Sequence, residues 1–257
     1  MKPNRSWKSI CKNMYIAIDI GNTLQKAAVF SPDGEMLAIV AEPELSTAQV
    51  SQLLDKFSCT HSILSSVGAE RSDIQYALSN RTQFTDFTHS TPLPIIIDYR
   101  SPHTLGLDRI ASAVAAHSLF PYENVLTIQA GTCLVADFVT SDGHYLGGSI
   151  SPGMDMRFSA LHHYTKRLPE VRRQPVNQLV GTSTEESILT GVVHGMEDEI
   201  NGLIERYHHQ YGTVKVVLTG GNKDDLQFSI KFPIFAASNL VLLGLCKILT
   251  FNAEGNK

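Results

Sequence analysis

The sequence predicts an α/β fold made of two copies of one unit. Two stretches carry the duplication. The run Ile16-Ala17-Ile18-Asp19-Ile20 ends near an acid and enters Gly21-Asn22-Thr23, after which Lys26-Ala27-Ala28-Val29-Phe30 resumes the apolar pattern. Two antiparallel strands joined at a glycine tip fit that pattern. The plan returns in Val125-Leu126-Thr127-Ile128-Gln129, with a tip at Ala130-Gly131-Thr132 and a second strand over Leu134-Val135-Ala136-Asp137-Phe138-Val139. Each copy turns into a third strand, through Pro32-Asp33-Gly34 and through Ser141-Asp142-Gly143. Hairpins this similar, roughly a hundred residues apart, point to an internal repeat. Strands and helices of both kinds, with glycine loops at strand ends, give the α/β class.

In chain order, residues 1–13 carry Lys2, Arg5, Lys8 and Lys12 with no acid and no period, and are expected to form a disordered extension. The first half, 14–117, continues with a strand over 35–41 and a helix over Thr47–Phe57, capped by Ser46 or Thr47. A short buried strand over 61–66 ends in Ser65-Ser66-Val67-Gly68, followed by a helix over 70–79 and a strand over 82–87. Thr91-Pro92-Leu93-Pro94 excludes a helix. Residues 109–119 read as the helix that leads into the second half, 118–257. There the three strands are followed by the glycine-rich stretch 147–153, a short helix over 154–161 and an irregular stretch with Pro169 and Pro175. From Thr184 to about Tyr207 the apolar positions Ile188, Val192, Met196, Ile200, Leu203 and Tyr207 step by three or four, an amphipathic helix. A strand over 214–218 ends in Thr219-Gly220-Gly221-Asn222, and a helix over 238–251 closes the chain.

Composition narrows the function. With 43% hydrophobic residues the chain can bury substantial cores, and a net charge of −4 with a pI near 6.2 supplies no basic field for nucleic acid. The richest apolar run, residues 240–251, is short and contains Lys247, so no membrane span is expected. Cys11, Cys59, Cys133 and Cys246 lie far apart without CxxC spacing, which fits reduced thiols in a cytoplasmic protein. The pairs His162-His163 and His208-His209 lack metal-ligand spacing and read as solvated helix residues.

The chemistry concentrates in five stretches. At the first tip, Gly21, Asn22 and Thr23 can turn successive N–H groups towards an anion. Asp19 would repel a phosphate there, so it is expected to act through a hydrated magnesium ion. Gly131 and Thr132 repeat the tip. In Gly106-Leu107-Asp108-Arg109 a loop enters a helix: Asp108 is either a helix cap or a general base, with Arg109 as an anion clamp. Gly181-Thr182-Ser183-Thr184 can be a helix cap, a hydroxyl and helix N-terminus aimed at a ligand, or both, and Thr219-Gly220-Gly221 is a strand-to-helix turn.

Taken together these stretches resemble type III pantothenate kinase. The matching segments are Asp19-Ile20-Gly21-Asn22-Thr23, Tyr99-x-x-Pro102-x-x-Leu105-Gly106-x-Asp108-Arg109, Ala130-Gly131-Thr132 with Asp137, Gly147-Gly148-x-Ile150-x-Pro152-Gly153, Gly181-x-x-Thr184 and Thr219-Gly220-Gly221. They follow the family's order and extend from Met14 to the last helix. The resemblance implies duplicated ribonuclease-H-like domains of the actin-like ATPase superfamily, with the active site in the cleft between them. It implies a homodimer that phosphorylates pantothenate to 4'-phosphopantothenate with ATP and Mg2+, the first step towards coenzyme A. By position, Asp19, Gly21, Asn22, Thr23 and Lys26 would form the first phosphate loop, Gly131 and Thr132 would contact ATP, and Gly220 and Gly221 would lie by its adenosine. Tyr99, Gly106, Leu107, Asp108, Arg109 and Thr184 would hold pantothenate, Asp108 as proton acceptor. The chain departs from the pattern at Gln129, where the family usually has an aspartate that binds a monovalent cation, K+ or NH4+. An amide offers an oxygen without charge, so less dependence on that cation is expected. Two rivals are a two-metal nuclease, disfavoured by the acidic pI and the two tips, and a non-catalytic nucleotide-binding regulator, disfavoured by the presence of Asp19, Asp108 and Arg109.

Overall fold

A computed structural model describes residues 13–66, 71–221 and 232–255. The expected extension lies outside them but for Asn13, as do Cys11, Val67, Gly68, Glu70 and Asn222. The chain divides into two units, one of residues 1–96, 100–118 and 240–257, the other of 97–99 and 119–239.

In the first unit, β1 (Met14–Ile20) and β2 (Gln25–Phe30) form the expected hairpin, with Asp19 opposite Lys26. Next come β3 (Met36–Glu42), α1 (Thr47–Phe57), β4 (Cys59–Ser66), α2 (Ser72–Ser79) and β5 (Gln83–Asp86). The sheet order is β3-β2-β1-β4-β5, with β4 parallel to β1 and β5 parallel to β4. Helix α1 starts at a capping box: Ser46 Oγ accepts from Gln49 N–H at 3.3 Å, and Gln49 Oε1 accepts from Ser46 N–H at 2.9 Å. Strand alternation puts Ile16, Ile18, Ile20 and Leu64 on one face, against Val50, Leu53 and Leu54 of α1 and Ile74 and Leu78 of α2. Helix α6 (Leu240–Ala253) packs on β1, β4 and β2. It also meets α3 (Leu107–Leu119): a Cβ at Gly244 would stand 1.8 Å from the Ala111 carbonyl oxygen.

The second unit repeats the plan with β7 (Asn124–Ala130), β8 (Cys133–Val139), β9 (His144–Pro152), β10 (Val214–Thr219) and β11 (Ile234–Ala236), and its sheet ends at β6 (Ile96–Ile97), of which Ile97 belongs to this unit. Its order is β11-β10-β7-β8-β9-β6. Read from β9 to β11 it matches the first sheet strand for strand, which is the duplication that the two tips predict. Ile128, Ala130, Leu134, Ala136 and Phe138 face α4 (Met154–Tyr164) and α5 (Thr184–Tyr211), meeting Met154, Phe158, Ile188, Val192, Met196 and Ile200. Thr127, Gln129 and Asp137 therefore face the other way.

The structure differs from the sequence reading in several places. The last helix groups with the first unit rather than with 118–257, because its apolar surface packs on β1 and β4. Residues 97–99 group with the second unit. The stretch 147–152 is part of β9 rather than following it. Helix α5 runs on to Tyr211, whose ring packs 4.3 Å from that of Phe138. Cys59, Cys133 and Cys246 are free, and among the described residues no helix is long and apolar enough to cross a membrane.

Two glycine-to-alanine substitutions should act in opposite directions. Gly244→Ala forces α6 away from α3 and should lower unfolding stability by about 1–3 kcal/mol. Gly195, on α5 with nothing within 4 Å of a new Cβ, should gain about 0.5–1 kcal/mol as alanine, from backbone entropy and helix propensity. Urea unfolding curves measure both.

Candidate active site

Asp19 stands next to the end of β1, just before the turn Gly21–Leu24, in which Asn22, Thr23 and Leu24 are exposed. Its Oδ1 is buried and has no hydrogen-bond partner among the described residues. Burial, and then the Asp108 carboxylate, push its pKa up to about 7, against the pull of Lys26 in the facing strand. A second buried oxygen without a partner among the described residues, Ser65 Oγ, belongs to the register neighbour of Asp19 on β4. Paired residues of parallel strands point to the same face, so both face the side opposite α1 and α2. The sequence hints at Ser65 only through two serines closing an apolar strand.

Asp108 lies in the first turn of α3, after a 3-10 turn over Pro102–Thr104. The helix begins at Leu107, and the Gly106 carbonyl accepts from the N–H groups of Arg109 and Ile110. Gly106 thus holds the cap position, and Asp108 is not the cap. The Asp108 carboxylate folds back over Gly106, where a Cβ would stand 2.5 Å from Oδ1. Arg109 is buried, at 8% exposure. The first unit thus brings Asp19, Lys26 and Asp108 into one electrostatic neighbourhood.

The second unit builds its tip from backbone. Gly153 N–H, at the N-cap of α4, donates to the Thr132 carbonyl at 3.2 Å. On the other side Gly220, with φ +101°, comes so close that a Cβ would stand 2.2 Å from the Ala130 carbonyl oxygen. Gly131, Thr132 and Gly220 are therefore gathered at one end of the sheet, with Gly221 following. Gln129 is half-buried and pairs with Thr219 on β10. It lies two residues before Gly131, as Asp19 lies two before Gly21. Each copy thus places a polar side chain before its tip and a hydroxyl residue beside it on the parallel strand, Asp19 with Ser65 and Gln129 with Thr219. Thr184 opens α5 and is exposed, with Ser183 Oγ capping the helix by accepting from Glu186 N–H at 3.2 Å. Tyr99 is half-buried against Tyr145.

Among the described residues no three His, Cys, Asp or Glu side chains gather as a metal cage. One acid with an unpartnered oxygen, and a second acid near it, suit a cation that keeps most of its waters, as Mg2+ does. Since the Asp19 pKa is raised on folding, the folded state binds an extra proton between about pH 4 and 7, and stability falls as pH rises through that window. Without divalent cations, Asp19→Asn should remove about 1–3 kcal/mol of that fall. Urea unfolding of both proteins at pH 4 and pH 8 checks it.

Residues 15–206 match the family model described as type III pantothenate kinase. The chain is 42% identical over 240 residues to a type III pantothenate kinase of Christiangramia forsetii, covering 93% of this chain and 99% of that one. It is 41% identical over 251 residues to one of Cytophaga hutchinsonii, covering 93% and 100%. Among solved structures it is similar to component A of the (R)-2-hydroxyglutaryl-CoA dehydratase of Acidaminococcus fermentans, with TM-score 0.54, 13% identity and coverage of 95% and 100%. A ROK-family protein of Streptococcus pneumoniae gives TM-score 0.50, 13% identity and coverage of 95% and 100%. These structures share the actin-like ATPase fold, and so does this chain. With the family model spanning most of its length and relatives near 40% identity over almost all of it, the chain belongs to the type III pantothenate kinase family.

Proposed function

We propose that the chain transfers the γ-phosphoryl group of ATP to the primary hydroxyl of pantothenate, giving 4'-phosphopantothenate for coenzyme A synthesis. The observation that carries this reading is the acid pair of the first unit, Asp19 with its unpartnered oxygen and Asp108 close enough to oppose its ionisation. Phosphoryl transfer depends on positioning and charge neutralisation more than on covalent chemistry. The N–H groups of Gly21, Asn22 and Thr23, with Lys26, hold phosphate oxygens, as do Gly131 and Thr132; Gly220 and Gly221 lie by the adenosine. Tyr99, Gly106, Leu107, Arg109 and Thr184 hold pantothenate. Asp108 accepts the hydroxyl proton as that oxygen attacks. Magnesium, held through water by Asp19, would neutralise charge on the phosphates. The working form is a homodimer in the cytoplasm. The family supports this activity over a non-catalytic regulator.

Asp108→Asn separates a base from a positioning residue. If Asp108 takes the proton, turnover should fall by roughly 10²–10⁴-fold with the fold intact. Release of ADP, measured with and without pantothenate, is the assay, and near-normal turnover would sink the assignment.

Gln129 bears on the monovalent cation. An aspartate there would set a negative charge facing phosphate, tolerable in a partly desolvated site only with a cation between them. Glutamine removes that repulsion, and its N–H₂ can donate to a phosphate oxygen. The chain should therefore depend little on potassium. Turnover titrated with potassium chloride at constant ionic strength tests this: activation of about tenfold, some 1.4 kcal/mol of transition-state stabilisation, would refute it. Gln129→Asp should create or strengthen the activation.

A further inference from the structure

The segment 97–99 is fastened to the second unit's sheet. Asp98 N–H donates to the Tyr145 carbonyl at 3.0 Å, and the Asp98 carboxylate meets His144 Nδ1 at 2.6 Å. The ring of Tyr99 then lies against two residues of β9. Its centroid is 6.1 Å from that of Tyr145, with the planes inclined at 59°. Its Cδ2 and Cε2 would each stand 3.0 Å from a Cβ at Gly147, a residue with φ +104°. The β8–β9 register slips here: Phe138 pairs with Gly147 and Val139 with Tyr145, which leaves Leu146 as the extra residue of a bulge. Bulges re-aim side chains. This one turns Leu146 outward and leaves Tyr145 fully buried.

Beneath the ring, Tyr145 O–H donates to Asp137 Oδ1 at 2.6 Å, and neither residue is more than 1% exposed. Such a bond to a carboxylate is of the short, strong kind. Burying both groups nevertheless carries a desolvation penalty, which an apolar pair of the same size at the two positions would avoid. Packing alone therefore leaves the hydroxyl unexplained. A fixed ring orientation explains it, because the bond stops Tyr145 from moving under Tyr99.

We infer that Tyr145, anchored by Asp137, and the bare backbone of Gly147 form a seat that fixes the Tyr99 ring for pantothenate, so that Tyr145 is a positioning residue for that substrate. The inference rests on the reading that Tyr99 touches pantothenate.

The test is steady-state kinetics, pantothenate and ATP varied separately, on Tyr145→Phe, Tyr99→Ala and the double variant. Tyr145→Phe keeps the ring and removes one hydrogen bond, so KM for pantothenate should rise about fivefold to tenfold. KM for ATP and kcat should hold within about twofold, since those groups lie elsewhere. In the Tyr99→Ala background, Tyr145→Phe should add nothing, because its route of action is gone. Lower melting temperature with unchanged KM for pantothenate would mark a merely structural role and overturn the inference. An equal rise in KM in the Tyr99→Ala background would overturn it too. Normal KM in Tyr99→Ala itself would instead refute the contact between Tyr99 and pantothenate, and with it both readings. Should Tyr145→Phe not fold, Gly147→Ala, which presses on the ring and leaves the Tyr145–Asp137 bond in place, is judged by the same criteria.

Discussion

Burying the Asp19 carboxylate beside a strand end is unfavourable, and much of the first unit is arranged around that burial. Alternation along β1 fixes the face on which it sits: one residue either way, and the acid would enter the apolar layer made by Ile18, Ile20 and Leu64 with α1 and α2. The hairpin register sets Lys26 opposite, a charge that favours ionisation. Desolvation and Asp108 act the other way. A folded protein rarely leaves such an oxygen without a partner, and an acid with so raised a pKa at a strand end marks a candidate functional site.

The second copy keeps the geometry and drops the charge. Gln129 and Thr219 occupy the places of Asp19 and Ser65 in a sheet of the same order. Duplication thus supplied two equivalent tips, and the difference between an acid and an amide at one position separates their electrostatics. The second tip is held by backbone contacts from Gly153 and Gly220, which carry no charge and do not titrate.

Most of the fold was legible in the sequence because hairpins and amphipathic helices are local patterns. The tips at Gly21–Thr23 and Gly131–Thr132, the cap at Ser46 and the stripe from Ile188 to Tyr207 each stand within a few residues. What was not legible depends on distant partners. The two-residue strand β6 is defined only by its neighbour β9, and β11 only by β10. The short run of α6 looks like any buried helix, and nothing in it names the unit it covers. Of the candidate site, Asp19 and Asp108 stood out by spacing, whereas Ser65 and Tyr145 did not: a serine after an apolar run, or a tyrosine in a strand, acquires meaning only when the register shows what it faces.

The first unit is not a continuous piece of chain. Residues 14–96 and 100–118 form its sheet and most of its helices, yet α6, which covers the face of β1 and β4 away from α1 and α2, comes from the far end. On a ribosome, that face stays bare while the whole second unit is being made. The nascent sheet must wait, with Tyr15, Ala17 and Ile63 uncovered, through more than a hundred residues of further synthesis. Exposed sheet faces of this kind recruit chaperones or associate with one another. The unit that is translated first is therefore the one completed last.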